Sequence, residues 1–450
     1  MQTSLFCSAC RRKRSQKAGG LLAFLRMDGL HHTKLSEASY TSARKHEMPG
    51  DKTAMIEIDY TAFDADNHYY EGPDAFTRHV PKAMQGRCVQ WAEIEGRKHH
   101  LVGGKLAHAV KNPTWNPIAK PGAISDYLRG NPLGKESTNL LADREPLPDY
   151  YIKSDTRVDV IEKQGLEGVW VFPTLGVLYE ELLKHDPEAV TTLFGAFNRW
   201  LEEDWGCNHK GKIFASPYIS LVDVEWACRE LEWAIAQDAR TIVIRPAAVW
   251  TLNDGVRSPS DPMFDPFWAR VNEAGITVAV HASDSGYTTH GYVRDGFSSD
   301  FGGAFTPNVK HFNIERAAYD FLITIAYERL FERFPNLRIA SIENGAEFLP
   351  DLFRKLNQSA ARLGQAGYYK DHPADLFREH VWVNPFWEDD VNEVAKMMGT
   401  DHVIFGSDWP HIEGMPEPLD YLGDLEKFSP EEVRKIMREN AVGLNERRPV

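Results

Sequence analysis

Val403-Ile404-Phe405-Gly406-Ser407-Asp408-Trp409-Pro410-His411 is an apolar run that stops at a carboxylate. Val403, Ile404 and Phe405 suit a buried strand, and Gly406-Ser407 break it, so Asp408 falls at the strand's carboxyl end. An aspartate buried there needs a metal, a cation or several hydrogen-bond donors. Ligands for a metal would have to come from elsewhere in the chain.

Working outward, the same pattern of a short apolar strand ending in polar residues recurs. Strands are expected at 62–68, 168–173, 212–217, 241–245, 276–281, 337–343, 381–384 and 402–407. Helical periodicity falls between or after them at 155–164, 186–204, 222–237, 266–274, 314–334, 346–363, 391–398 and 430–444. The strands do not alternate apolar with polar residues, as expected when both faces are covered. Eight strand–helix units predict an α/β fold, a (β/α)8 TIM barrel, with sites at the carboxyl ends of its strands. A doubly wound sheet would show a glycine-rich phosphate turn after its first strand, and none is present. Residues 72–150, rich in Gly, Pro, Asn and Lys, predict an insertion or lid after strand one, and 282–311 a second long loop after strand five.

The strand ends define a constellation. Strand one closes on Asp66 and His68, two apart and therefore on one face. Strand five closes on His281, strand six on Glu343 and strand eight on Asp408. A barrel brings all five to one rim, and imidazole nitrogens with carboxylate oxygens suit zinc, manganese or ferrous iron. Taken alone, Asp66-x-His68 is equally a surface pair. Arg245, ending strand four, suits a substrate carboxylate or the neutralisation of buried acids. His411, following Asp-Trp-Pro at the rim, suits the orientation of a ligand or substrate and equally a solvated loop histidine. Trp409 and the aromatics at Tyr69-Tyr70 and Phe301 suit a pocket lining as well as packing. His31-His32 and His99-His100 read as surface residues.

Composition bounds the function. The 450 residues are 42 % apolar with 11 % aromatics, enough for a large core. Net charge is −14, and residues 1–47 hold nine Lys/Arg against three Asp/Glu, so the remainder is more acidic still. Nucleic acid and anionic membranes are poor partners for such a surface. No run approaches the roughly 18 apolar residues of a membrane span. A small-molecule substrate is expected, and homo-oligomerisation is left open. Five scattered cysteines argue for a reducing, cytoplasmic setting, and Cys7-x-x-Cys10 lacks the second pair of a zinc ribbon. Residues 1–54 read as a disordered tail, an upstream mis-start before Met48 or Met55, or a transit peptide, ahead of a catalytic domain at 55–450.

Asp66-x-His68, Val280-His281 and Gly406-Ser407-Asp408-Trp409-Pro410 together resemble the metal-binding pattern of the amidohydrolase superfamily. Over Ala62 to Leu444 the chain is most similar to the amidohydrolase-related branch that includes the aminocarboxymuconate semialdehyde and resorcylate decarboxylases. The resemblance implies Asp66, His68, His281 and Asp408 as ligands of one divalent metal. Two positions depart from the pattern: Asp66 replaces the commoner first histidine, and Glu343 stands where the decarboxylases carry a strand-six histidine.

The function expected is a metal-dependent hydrolase, metal-activated water attacking a small carboxylic-acid derivative, with Glu343 or Asp408 as general base. The alternatives are a non-oxidative decarboxylase, a dinuclear iron or manganese enzyme using Glu343 with His290, His311 or His411, and a catalytically silent barrel.

Overall fold

Seven parallel strands carry the core, and their largely apolar residues are buried. They are Ala62–Tyr69, Leu166–Pro173, Ile213–Ala215, Thr241–Ile244, Thr277–His281, Arg338–Ile342 and Val381–Val383. In a computed structural model of the protein, residues 56–450 are described apart from 108, 111, 132–133, 135–140, 288–312 and 387–388. The N-terminal expectations, Cys7-x-x-Cys10, His31-His32, Phe301 and the loop histidines His290 and His311 lie outside the described residues, as does most of the loop expected after strand five.

The first three strands form one parallel sheet and the fourth to seventh another, each strand beside its sequence neighbour. The first, fourth, fifth and sixth are buried at every position, the condition their unbroken apolar character requires. Helices alternate with them, among them Ser154–Lys163, Pro187–Asp204, Val224–Ala236, Asp265–Ala274, Leu349–Leu363 and Val391–Met398. This is the α/β architecture of a TIM barrel.

Several expectations are corrected. Residues 402–407 do not form a regular eighth strand. The run is tied by single contacts instead: Ile404 N donates to Val383 O at 3.0 Å, Ala65 N to Phe405 O at 2.9 Å and His68 N to Trp409 O at 2.8 Å. Gly406 explains part of this, since a Cβ there would lie 2.4 Å from the Asp66 Cβ. The helix expected at 314–334 is two helices, Asn313–Tyr327 and Leu330–Arg333, divided where Arg329 turns left-handed at φ 58°. The last helix is likewise α, π and α segments over 430–445. Gly176–Leu183 and Pro373–His380 are helices that the periodicity did not reveal.

The segment 72–150 contains an antiparallel meander, Val89–Ile94, Arg97–Val102 and Lys105–Leu106. Its turns, Glu95-Gly96 and Gly103-Gly104, have positive φ at both residues, the conformation that suits a two-residue hairpin. His100 on this meander is buried rather than at the surface, 4.0 Å from the Trp91 ring centre and 2.6 Å from the Tyr179 hydroxyl.

Candidate metal centre

The first strand delivers two of its side chains through an irregularity. Asp64 pairs with Val169 but Asn67 with Val171, so one extra residue is accommodated on the first strand. Asp66 and His68 then meet, with Oδ1 3.3 Å from Nε2. His281, last residue of the fifth strand, brings Nε2 to 3.2 Å from His68 Nε2 and 3.6 Å from Asp66 Oδ1. Glu343 Oε2 lies 3.4 Å from His281 Nε2 and 3.8 Å from His68 Nε2. Asp408 Oδ1 lies 3.3 Å from His68 Nε2 and 2.6 Å from His411 Nδ1. Six residues spread over most of the sequence therefore converge. Glu343 and Asp408 both sit in left-handed backbone, at φ 57° and 54°, a conformation that costs a non-glycine residue about 1 kcal/mol or more.

The chemistry of the donor set fits a divalent cation. His281 Nδ1 is 2.8 Å from the Ala282 carbonyl, which can only accept, so the hydrogen is on Nδ1 and the Nε2 lone pair faces the centre. The Thr174 hydroxyl donates to Tyr69 O at 2.8 Å and so accepts from His411 Nε2 at 3.0 Å. The lone pair on His411 Nδ1 then faces the Asp408 carboxylate at 2.6 Å. Neither atom has a hydrogen bond, nor does either Asp66 oxygen. Buried lone pairs at this distance repel unless a shared proton or a metal ion lies between them, and the oxygens of Asp66 and Asp408 with the nitrogens of His68 and His281 offer a divalent ion such a place. Two overlapping groups have suitably close ligand atoms: Asp66, His68, His281 and Glu343, and His68, Glu343, Asp408 and His411.

Burial pushes the Glu343 and Asp408 carboxyls well above the usual range, and the acids nearby, Asp66 beside Glu343 and Glu343 beside Asp408, raise them further. Burial also lowers His68 to about 4, leaving the neutral ring that ligates metals. Asp66 is pushed up by burial, but its contacts with His281 and His68 outweigh this and hold it below the usual range.

Above these residues is a cavity of about 250 Å³. His68, His281, Glu343 and His411 line it, while Val110, Trp115, Ile118, Leu141, Val177 and Leu178 supply apolar wall, much of it from the 72–150 segment. Tyr70 lines it as well, its hydroxyl donating to Pro410 O at 3.1 Å.

Arg245 and Trp409 are not among the lining residues. Arg245 is buried against Glu181 at 2.8 Å and Glu180 at 3.4 Å, the acid-neutralising alternative of the two read from the sequence. Trp409 packs under the floor, where the Arg157 guanidinium lies 4.3 Å from its ring centre.

Three supporting residues escaped the sequence. Asp64 ties the first strand to Ser407. Arg157 donates to Asn67 Oδ1 at 3.3 Å and to His68 O, and Thr174 sets the His411 tautomer. A third acid on a wholly buried strand was a signal for Asp64. Nothing local marks Arg157 or Thr174, whose roles exist only through packing.

A family pattern described as amidohydrolase matches residues 185–444. An amidohydrolase crystal structure from Mycobacterium avium subsp. paratuberculosis K-10 is 38 % identical, with a TM-score of 0.80, covering 87 % of this chain and 100 % of that one. The chain belongs to the amidohydrolase family, and is an enzyme of that superfamily. More distant structures share the fold. One is 2,6-dihydroxybenzoate decarboxylase from Rhizobium, at 15 % identity and TM-score 0.53, covering 86 % of this chain and 98 % of that one. Another is 5-carboxyvanillate decarboxylase from Novosphingobium aromaticivorans DSM 12444, in complex with manganese and a nitrobenzoic acid, at 14 % identity and TM-score 0.54, covering 86 % and 96 %. No curated protein matches the sequence. No described helix is long and apolar enough to cross a membrane.

Proposed function

We propose that this protein is a metal-dependent hydrolase of a small carboxylic-acid derivative, a reading carried by the convergence of two histidines and three carboxylates beneath one cavity. Asp66, His68 and His281 would hold the ion, with Asp408, Glu343 and His411 adjoining. Nitrogen and oxygen donors without sulfur favour zinc or manganese and admit iron. A divalent ion there supplies Lewis acidity, polarising a carbonyl and acidifying a water.

The protein groups divide the proton work. Asp408, held against His411, accepts the proton of the attacking water. Glu343, which lines the cavity, returns one to the leaving group. We read the two sheets as one ring joined through 403–409 and through the Tyr218–Val243 bridge, with the 72–150 insertion as the cover over the substrate. Three buried free thiols, Cys88, Cys207 and Cys228, suit the cytoplasm.

Glu343 also favours a second reading. A protonated carboxyl on the floor of an apolar-walled cavity can protonate carbon, as a non-oxidative decarboxylation requires. Because Glu343 belongs to both candidate ligand groups, a two-ion centre with His411 is the third reading. Elemental analysis and turnover in oxygen-18 water separate them. One equivalent of metal with label in a product carboxyl supports the hydrolase. Carbon dioxide released with no label in the organic product supports the carboxy-lyase, and two equivalents of metal the dinuclear centre. A folded protein that takes up no metal overturns all three.

A further inference from the structure

Several cations of the fold are matched with acids. Lys120 pairs with Asp143 at 2.8 Å, Arg129 with Asp424 at 3.1 Å and Arg245 with Glu181 at 2.8 Å. Arg144 is different. It lines the cavity, and its guanidinium makes no ion pair among the described residues. The antiparallel pairing of Ala119 with Arg144 and Ile118 with Glu145 fixes its backbone, and Nε donates to Leu141 O at 3.1 Å. Both terminal nitrogens are left as donors, in the geometry that takes a carboxylate or phosphate in a two-bond fork. Asn112, also in the lining, has its Oδ1 engaged by the Thr114 hydroxyl at 2.6 Å, which leaves its amide nitrogen as the available donor.

We infer that Arg144 is a specificity-determining residue that binds a distal anionic group on the substrate, while the reacting group lies at the His68–His281–Glu343 floor. The inference rests on the reading of that floor as a metal centre and names the substrate class: an anion with an apolar carbon body between two polar ends. The walls of Val110, Trp115, Ile118 and Leu141 match the body. A cation is needed because the floor is rich in carboxylates, and a substrate anion with no cationic partner would be repelled there. An arginine at an exposed position also attracts the anion from solution, an effect that salt screens.

The probes are two series of matched chain length, linear α,ω-dicarboxylates and the corresponding monocarboxylates from four to ten carbons. Each is titrated calorimetrically into manganese-loaded full-length protein, with metal content measured on the same samples. The expected result is a dicarboxylate preference of roughly tenfold at one or two lengths, the size of effect a charge-assisted pair supplies. It should fall to onefold or below in Arg144→Gln, survive in part in Arg144→Lys, and shrink with added salt. Metal uptake with no such preference at any length, or a preference undiminished in Arg144→Gln, overturns the inference alone. Failure of the wild-type protein to take up metal overturns the reading of the floor on which it rests.

Discussion

Asp64 and Ser407, 343 residues apart in sequence, hold the first strand to the segment that carries Asp408. Ser407 N donates to Asp64 Oδ1 at 2.9 Å and Ser407 Oγ to Oδ2 at 2.6 Å. The same carboxylate accepts from Asp66 N at 3.1 Å and Asn67 Nδ2 at 2.9 Å. One buried side chain thus organises the backbone on both sides of the centre. It also compensates for the missing ladder along 403–408.

Asp64→Ala leaves the Ser407 and Asn67 donors buried without an acceptor. Each such group costs about 1–3 kcal/mol, so a loss on the order of 3 kcal/mol is expected in urea unfolding. Metal affinity should fall about tenfold or more, because the backbone presenting Asp66 and Asp408 is no longer tied. Unchanged stability and affinity would refute this role.

Truncating a ligand and neutralising a proton acceptor should differ. His281→Ala is expected to lose the metal while the barrel stays folded, as circular dichroism and elemental analysis would report. Asp408→Asn should keep the folded protein but lower turnover by about a hundredfold or more. Full turnover with full metal occupancy in Asp408→Asn would remove Asp408 from the proton chemistry.

Arg245→Met tests the acid-neutralising role of this cation. Removing it leaves Glu180 with only the Tyr218 and Ser220 hydroxyls and Glu181 with only Lys184, and breaking a buried pair in this way costs about 3–5 kcal/mol, less what these partners retain. A large drop in melting temperature is expected. A raised KM at unchanged stability would return Arg245 to the substrate.

His100 predicts an acid limb of stability. Burial lowers its pKa to about 4 from an ordinary 6.5. Between those values the unfolded chain takes up a proton that the buried ring refuses, so stability is full above pH 6.5 and declines as pH falls towards 4. The contribution is at most about 3 kcal/mol. His100→Gln should flatten the difference between urea midpoints at pH 7 and pH 4.5. An unaltered pH dependence in that variant would show that other groups set it.

The barrel strands were legible because burial on both faces demands continuous apolar runs, and the helices because an amphipathic face repeats every three to four residues. The short helix Gly176–Leu183 was not legible, since it is buried on nearly every side and has no polar face to set a period. The irregular eighth segment was equally hidden. Val403-Ile404-Phe405 has the composition of a strand, but its hydrogen bonds depend on where Asp66, Val383 and Ile436 lie.

For the centre, residue chemistry by itself determined which side chains could bind a metal and at which strand ends they stood. Asp66, His68, His281, Glu343, Asp408 and His411 carry the donor atoms whatever their surroundings. Only the tertiary structure decided their company. It brought the six together, set His411 through Thr174, matched Arg245 with Glu180 and Glu181, and left Arg144 on the cavity. Ligand type is a property of one residue, whereas charge pairing, tautomer and exposure depend on atoms that the chain brings within a few ångströms only by folding.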